Sequence, residues 1–284
     1  MNSCALSVIA PAKLNLFLHI TGRRDDGYHE LETLFTFLDH GDELHFQPRQ
    51  DSRLELAPMN GVANEENLIL RASELLRQAY QQRGLEVCGV NIDIDKRLPM
   101  GGGVGGGSSD AATTLLALNS LWGKKLSLDE LAELGIQLGA DVPVFIGGHS
   151  ALARGVGEQL QAVDVPQHWY LVVHPQVHIS TAAVFGHPDL PRDSAPLPQQ
   201  WQHAEHRNDC EALVKKLYSE VEKTLQWLLK YAPSRMTGTG ACCFAAFDSE
   251  RAALDVLEKL PTEWQGFVAK SLNQSPAHTA LGLN

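Results

Sequence analysis

Six glycines occupy the seven positions 101 to 107 in the stretch PMGGGVGGGSSDAA, Pro99 to Ala112. A run of this kind gives up side chains, so the chain must need its backbone there. Without Cβ atoms, successive N–H groups can turn inward together and approach an anion closely. Two serines follow, and SSDAATTLLALNSLWG has the apolar content of a well-buried helix. Ser108 or Ser109 is placed to cap that helix, whose unpaired first N–H groups and dipole add to an anion site. Glycines, serines and helix start together predict a cradle for a di- or triphosphate. A flexible linker would seldom run straight into so apolar a helix.

The common phosphate motifs do not fit. A P-loop needs a lysine before its serine or threonine, and none stands there. Gly101, Gly103 and Gly106 have G-x-G-x-x-G spacing, but Lys96 to Pro99 separate them from the strand predicted over VCGVNIDID. The acidic candidates further on, Asp129 and Glu130, fall at a helix start rather than at the end of a second strand. No H-R-D sequence follows, which removes the protein-kinase pattern. A second glycine turn, TGTGA at 237–241, lies between two apolar segments. It is either a plain strand connection or a second contributor to phosphate binding.

The rest of the pattern mixes strands and helices without regular βαβ alternation, which predicts an α+β class. AKLNLFLHI alternates with period two, so Lys13 and Asn15 share a face with Phe17 and His19. TGRRDDGYHEL reads as a turn-rich loop, and short strands are predicted near 33–38, 43–47 and 54–57. NLILRASELLRQAYQQRG has helical periodicity and stops at Gly84. Ser127 and Glu130 have capping-box spacing at the start of another helix. GADVPVFIGG reads as a short break, and SALARGVGEQL as a strand and turn. A boundary is expected near 160–168, followed by a strand in WYLVVHP. Residues 187–207, rich in Pro, Gln and His, read as an irregular surface excursion, and 208–231 as mostly helical, with Asn208 and Asp209 as caps. RMTGTGACCFAAFD reads as strand, turn, strand, and a helix over 250–260 and a strand GFVAK follow.

Charge and cysteine content remove several functions. With 34 acidic against 23 basic side chains the net charge is -11, which disfavours a nucleic-acid binder working by counterion release. An anionic ligand must therefore be held by local donors. Cysteines stand at 4, 88, 210, 242 and 243, an odd count without C-x-x-C spacing, so a reducing compartment is expected rather than a disulfide framework. Cys242 and Cys243 point to opposite faces of a strand and read as core residues. The histidines lack zinc-ligand spacing. No apolar run approaches the ~20 residues of a membrane span, and the N-terminus lacks the basic start of a signal peptide. A cytoplasmic protein with neither nucleic acid nor membrane as partner is expected.

These residues resemble the GHMP kinase superfamily, which includes galactokinase, homoserine kinase and mevalonate kinase. Its three motifs occur in order: APAKLNLFL; PMGGGVGGGSSDAA, with Val104 where leucine is more usual; and TGTGACCFA. The similarity runs over nearly the whole chain. PAKLNLFLHITGRRDDGYHEL, GADVPVFI and NDCE narrow it to the branch whose acceptor alcohol carries a cytidine diphosphate. The resemblance implies a two-domain fold. Residues 1–163 would form an ATP-binding domain like domain 2 of ribosomal protein S5, and 164–284 a ferredoxin-like domain across the substrate cleft. It implies ATP-dependent phosphorylation of the 2-hydroxyl of a cytidyl-diphosphate-linked methylerythritol, a step toward isoprenoid precursors, by direct transfer with Mg²⁺, in a monomer or homodimer.

The resemblance also assigns roles. Read alone, Asp141 before Val142-Pro143 is a turn or capping residue; its match to the family makes it the catalytic base for a tertiary alcohol. Lys13 would orient Asp141, hold it ionised and offset charge on the transferring group. Asn15, on the face of Lys13, would line the substrate cleft. Tyr28 and His29 would hold the cytosine, with Phe185 as the opposite stacking wall and Thr181 near the substrate. Pro99, Met100, Gly101, Gly102, Gly103, Val104, Gly105, Gly106, Gly107, Ser108 and Ser109 would surround the phosphates, a serine touching Mg²⁺. Asn67 and Lys96 would stand on the adenosine side, and Gly238, Thr239 and Gly240 on the substrate side. Asp110 is a phosphate-region residue or a first-turn acid, without a catalytic role. No metal ligand set can be named. Two alternatives stay open: a mevalonate- or homoserine-type kinase, for which GYHEL has no evident use, and a non-catalytic nucleotide-binding regulator, which would be expected to have lost Lys13 or Asp141.

Overall fold

The computed structural model describes residues 5–59 and 66–283, apart from the side chain of His203; Cys4 lies outside them. The elements run β1 (Leu6–Arg23), β2 (His29–Pro48), β3 (Leu54–Leu56), α1 (Leu68–Gln82), β4 (Val90–Asp95), α2 (Gly106–Leu121), α3 (Leu128–Gly135), α4 (Val142–Gly147), β5 (Ala151–Arg154), β6 (Gln159–Ala162), β7 (Trp169–His174), α5 (Thr181–Gly186), α6 (Glu211–Leu217), α7 (Ser219–Leu228), β8 (Ser234–Met236), β9 (Cys243–Phe247), α8 (Glu250–Leu257), β10 (Gln265–Leu272) and α9 (Pro276–Leu281). The class is α+β, as the pattern predicts.

The first two strands are far longer than the short segments predicted for them. β1 has 18 residues and β2 has 20, and they pair antiparallel along nearly their whole length, closed by the loop 24–28. Ladders this long must twist, and this one breaks register between Pro11 and Lys13, between Asn15 and Phe17, and between Ile20 and Gly22. The strict alternation read from AKLNLFLHI therefore fails beyond Asn15. Leu14, Phe17 and Leu18 enter three different apolar clusters, because each bulge turns the strand before the next side chain.

One sheet runs through the molecule in the order β3-β4-β2-β10-β7-β9-β8, with β1 and β5 also on β2 and β6 on β5. The junction between the halves is short: Ser271 pairs with Leu38, and Leu272 with Phe37. One core lies where α1, α2, α3, α4 and α9 cover β1, β2 and β4. A second lies beneath α6, α7 and α8. Between them a third cluster joins Ala12, Leu14, Leu98 and Val104 to Tyr170, Val172, Cys242 and Phe244. The glycine loop is thus seated where the halves meet. α2 is the central pillar, with Ala111 through Leu118 all buried. Each of its leucines that leaves water contributes about 1.5–3 kcal/mol.

Several local signals have the expected outcome. α1 stops before Gly84, whose φ is positive, and the Ser127–Glu130 capping box is complete. Asn67, read from sequence only as an adenosine-side residue, caps α1 through Oδ1 to the Ile69 N–H. Other signals have a different outcome. GADVPVFIGG contains α4, which opens with Pro143 in its first turn and closes on Gly148 with positive φ. α9 escaped the sequence reading although Ser275-Pro276 is a helix-start signal; it packs Ala277 and Leu281 into the first core. Residues 187–207 are irregular but no free excursion: Leu190 and Ser194 are buried, the Ser194 N–H donates to Ile20 O, and the Leu197 N–H to Glu32. Asn208 and Asp209 cap no helix from outside. Asp209 accepts from the Ile20 N–H and the Ser194 hydroxyl, and Asn208 donates to Met236 O and Gly238 O, because both side chains point into the molecule.

Candidate active site

A cleft of about 560 Å³ opens between the glycine loop, the middle of β1 and β2, the start of α4, the start of α5 and the turn at 238–239. The end lined by the glycine loop is backbone. Gly101, Gly103 and Gly105 have φ of 68°, 75° and 78°, whereas the residues between them do not have positive φ. Such alternation aims neighbouring N–H groups to one side and makes an anion nest. Gly105 also occupies the N-cap of α2, without any side-chain cap. Ser108 and Ser109 are therefore inside the helix rather than capping it: the helix begins at Gly106, and the Ser109 N–H already donates to Gly105 O. The helix start, with its unpaired donors, faces the cleft through Gly106, Gly107 and Ser108.

Below this loop sits Lys13. Its backbone N–H donates to Val104 O at 2.9 Å, which fastens β1 to the glycine loop. The ammonium reaches three acceptors: Asn15 Oδ1 at 2.6 Å, Gly103 O at 3.1 Å and Asp141 Oδ2 at 3.2 Å. It lies 5.3 Å from the centre of the Phe35 ring. The Lys13 side chain is 3% exposed and that of Asp141 37%, so the cation is a buried wall and the carboxylate faces the opening. Asp141 holds the N-cap position of α4 yet makes no cap bond, because its carboxylate is turned to Lys13. A carboxylate so placed can accept a proton from an alcohol in the cleft, and the fixed cation beside it can offset negative charge.

A second buried charge cluster lies behind the loop. Lys96 bridges Asp42 at 2.5 Å and Asp110 at 2.8 Å, and Asp42 Oδ1 accepts from the Arg97 and Leu98 N–H groups. Burial pushes the Asp110 carboxyl up, against the pull of Lys96. Lys96 and Asn67 both line the cleft beside Met59, Leu68 and Ile69. Both side chains already have protein partners, Lys96 as this bridge and Asn67 as the helix cap.

The expected residues do not all converge. Lys13, Asn15, Asn67, Lys96, Pro99, Met100, Gly101, Gly102, Gly103, Gly105, Gly106, Gly107, Ser108, Asp141, Thr181, Phe185, Gly238 and Thr239 line the cleft. Val104, Ser109, Tyr28, His29 and Gly240 are outside its lining. Val104 is fully buried among the residues that join the two halves. Ser109 faces the interior, its hydroxyl without a partner. A Cβ on Gly240 would meet Met236 Sδ at 2.9 Å, so that glycine faces the second core. Tyr28 is 62% exposed at the β1–β2 loop. His29 stacks directly on Phe185, ring centres 5.1 Å apart at 30°, and its Nε2 accepts from Arg192 Nε at 2.8 Å. In this conformation His29 and Phe185 leave no gap between them for a base. Burial, then the Arg192 guanidinium, lower the His29 pKa.

The sequence reading overlooked the residues that hold these parts together. Thr237 Oγ1 accepts from the Asn15 N–H, Asn208 grips the carbonyls on either side of Thr237, and Thr181 and Thr239 share a hydrogen bond at 2.9 Å. Thr33 Oγ1 accepts from Asn15 Nδ2. A polar residue at a buried strand position was the available signal, as in ELETLF around Thr33. Cys242 and Cys243 lie in different clusters, as expected, and both thiols are pushed up by burial. Among the described residues no three His, Cys, Asp or Glu side chains are gathered for a metal ion, and no helix is long and apolar enough to cross a membrane.

The chain is similar to known kinases both in sequence and in fold. The model of the GHMP kinases N terminal domain matches residues 67–149, and that of GHMP kinases C terminal matches 188–266. The 4-diphosphocytidyl-2-C-methyl-D-erythritol kinase of Pseudoalteromonas translucida (strain TAC 125) is 61% identical over 281 residues, 99% of this chain and 98% of the relative. The protein of the same name from Tolumonas auensis (strain DSM 9187 / NBRC 110442 / TA 4) is 59% identical over 276 residues, 96% and 95% of the two chains. A crystal structure of a 4-(cytidine 5'-diphospho)-2C-methyl-D-erythritol kinase superposes with a TM-score of 0.78 at 33% identity, covering 94% of this chain and 99% of the other.

Proposed function

The chain belongs to the GHMP kinases and, among them, to the 4-diphosphocytidyl-2-C-methyl-D-erythritol kinase family, and from that membership we propose that it transfers the γ-phosphoryl group of ATP directly to the 2-hydroxyl of 4-diphosphocytidyl-2-C-methyl-D-erythritol, with Asp141 as general base and Lys13 as its partner. The observation that carries this reading is the Lys13–Asp141 contact of 3.2 Å beneath the glycine nest, with Lys13 also on Gly103 O. One cation is thereby tied both to the base and to the loop that would hold the phosphates. Phosphoryl transfer asks mainly for positioning and charge stabilisation, and this arrangement supplies both without a nucleophile of its own.

ATP would lie with its phosphates on Gly101 to Ser108 and its adenosine toward Asn67 and Lys96. Magnesium, which this kind of chemistry uses to neutralise the phosphates, fits the cleft as a passenger of the nucleotide. With no acidic cage among the described residues, the ion would keep phosphate oxygens and waters as most of its shell. The Ser108 hydroxyl, which lines the cleft, would be its protein donor. Asn15, Thr181, Gly238 and Thr239 would border the methylerythritol part. The cytosine would then require His29 and Phe185 to separate and Tyr28 to fold in.

We divide the chain into 1–163 and 164–284, working in the cytoplasm as a monomer or homodimer. The odd cysteine count with four free thiols among the described residues supports a reducing compartment. The test is ADP release with Mg²⁺-ATP and the cytidyl substrate, wild type beside Asp141→Asn, with methylerythritol phosphate lacking the cytidine as control. Turnover that needs the cytidine and collapses in the variant is expected. Unchanged turnover in the variant removes Asp141 as base, and failure of the cytidyl substrate despite ATP binding removes the substrate assignment.

A further inference from the structure

We propose that Thr33 is a positioning residue for phosphoryl transfer: its hydroxyl decides which end of the Asn15 amide faces Lys13, and so seats the Lys13 ammonium against Asp141. This rests on the reading of Lys13 and Asp141 as the reacting pair.

Thr33 is 1% exposed in the first third of β2, paired on one side with Leu18 of β1 and on the other with Ala153 of β5. With neighbours on both edges, its backbone is held. The register break between Asn15 and Phe17 lies opposite the next two residues of β2, Leu34 and Phe35. The Thr33 hydroxyl has one proton, and Phe17 O takes it at 2.6 Å. Toward Asn15, 2.8 Å away, the hydroxyl can then only accept. The Asn15 atom there must be the NH₂ group, which leaves Oδ1 on the opposite side, 2.6 Å from Lys13 Nζ.

The direction of this chain follows from donor counting. An amide turned the other way would set its NH₂ against an ammonium, and its oxygen against a hydroxyl whose only proton is committed. The same oxygen also takes the longer contact from Thr237 Oγ1, at 3.4 Å. Lys13 has three donors, and its three acceptors come from β1, the glycine loop and the start of α4. Remove the one that Asn15 supplies and the ammonium keeps only its two longer contacts. Thr33, Asn15 and Lys13 are all buried, which strengthens the bonds among them and makes an unpaired group there costly.

The test compares Thr33→Val, which keeps the shape and removes the hydroxyl, with Thr33→Ser, which keeps the hydroxyl. Asn15→Ala, the double variant Asn15→Ala/Thr33→Val and Asp141→Asn complete the set. Thr33→Val is expected to lower kcat about 10- to 100-fold, in line with the cost of misplacing a reacting group, with KM for ATP and for the cytidyl substrate within about twofold. Thr33→Ser should recover kcat to within about threefold. In the Asn15→Ala background Thr33→Val should cost nothing more, because the hydroxyl acts through that amide. Should Thr33→Val fail to fold, Thr33→Ala removes the same hydroxyl without β-branched bulk and takes its place. A normal kcat for Thr33→Val, equal losses in the valine and serine variants, a loss confined to KM, or additive losses with Asn15→Ala would each overturn the relay. If Asp141→Asn keeps its turnover, the failure lies with the reacting pair itself, which is a different result.

Discussion

Gly103 should be the least replaceable position of the glycine loop, and Gly103→Ala gives a quantitative test. Its φ of +75° would cost an alanine about 1–2 kcal/mol. A Cβ there would stand 2.5 Å from Thr237 O and 2.9 Å from Gly240 O. Both obstacles are backbone, so the two glycine turns must part rather than a side chain swing aside. Forcing atoms into packed space costs about 1–3 kcal/mol more. Together the loss is roughly 2–5 kcal/mol, which for a chain of this size lowers the melting temperature by about 3–8 °C. Parting the turns also withdraws Gly103 O from Lys13, so the variant that remains folded should turn over more slowly at saturating ATP. Gly107→Ala is the contrast. It sits in the first turn of α2 with ordinary φ, and its Cβ would meet only Leu68 Cδ1 at 3.5 Å. Alanine is the better helix former by up to about 1 kcal/mol, so this variant should melt no lower than wild type even if ATP binds less well. The assays are calorimetric unfolding and the ATP dependence of ADP release. A Gly103→Ala protein that melts with wild type, or a Gly107→Ala protein that falls as far, would refute the reasoning.

Lys96→Met leaves Asp42 and Asp110 buried without their cation, and removing one partner of such a cluster costs about 3–5 kcal/mol; denaturant unfolding should show it, and adding Asp110→Asn should return part of the loss. Burial holds the imidazole of His278 below its usual 6.5, against the Ile146 carbonyl contact. The unfolded chain then takes up the proton first, so this histidine's stabilisation is complete above about pH 6.5 and declines as the pH falls through that value toward the folded pKa. Asp110, with its carboxyl pushed up, works in the opposite direction, so the measurement is the difference in melting temperature between wild type and His278→Gln from pH 7.5 to 5, which should narrow on acidification. A constant difference would count against the assignment. Burial raises the thiol of Cys210 to about 12 and those of Cys242 and Cys243 further. Thiol reagents should therefore label Cys88 in the native enzyme and reach these three only on unfolding, as mass spectrometry would resolve.

Much of the site was legible because local needs are written locally. A nest of N–H groups requires residues without Cβ atoms, so the loop at 101–107 announces itself as glycine. The capping box at Ser127 and Glu130 and the stop at Gly84 are likewise satisfied within a few residues of themselves. The family motifs carried Lys13 and Asp141 as a pair. Errors arose where a local rule met a distant partner. Ser108 and Ser109 look like caps, but the loop's own geometry starts the helix at Gly106. Asn208 and Asp209 look like caps too, yet β1 and the turn after β8 claim their side chains. Tyr28 and His29 are adjacent in sequence and part company in space, one exposed and the other against Phe185 and Arg192.

The sequence by itself determined the α+β class, the glycine loop and, through its motifs, the family, because periodicity, backbone freedom and motif spacing are properties of neighbours along the chain. Only the tertiary structure decided that Lys13 reaches Asn15, Gly103 and Asp141, that Asn15 presents its oxygen to that lysine, and that Thr33 and Asn208 hold the parts in place. Those outcomes depend on bulges in a long ladder and on the closure of two halves around Val104. A hydrogen bond between residues far apart in sequence leaves no periodic trace in either segment; it exists only once the intervening chain has folded and excluded the water that would otherwise satisfy both groups.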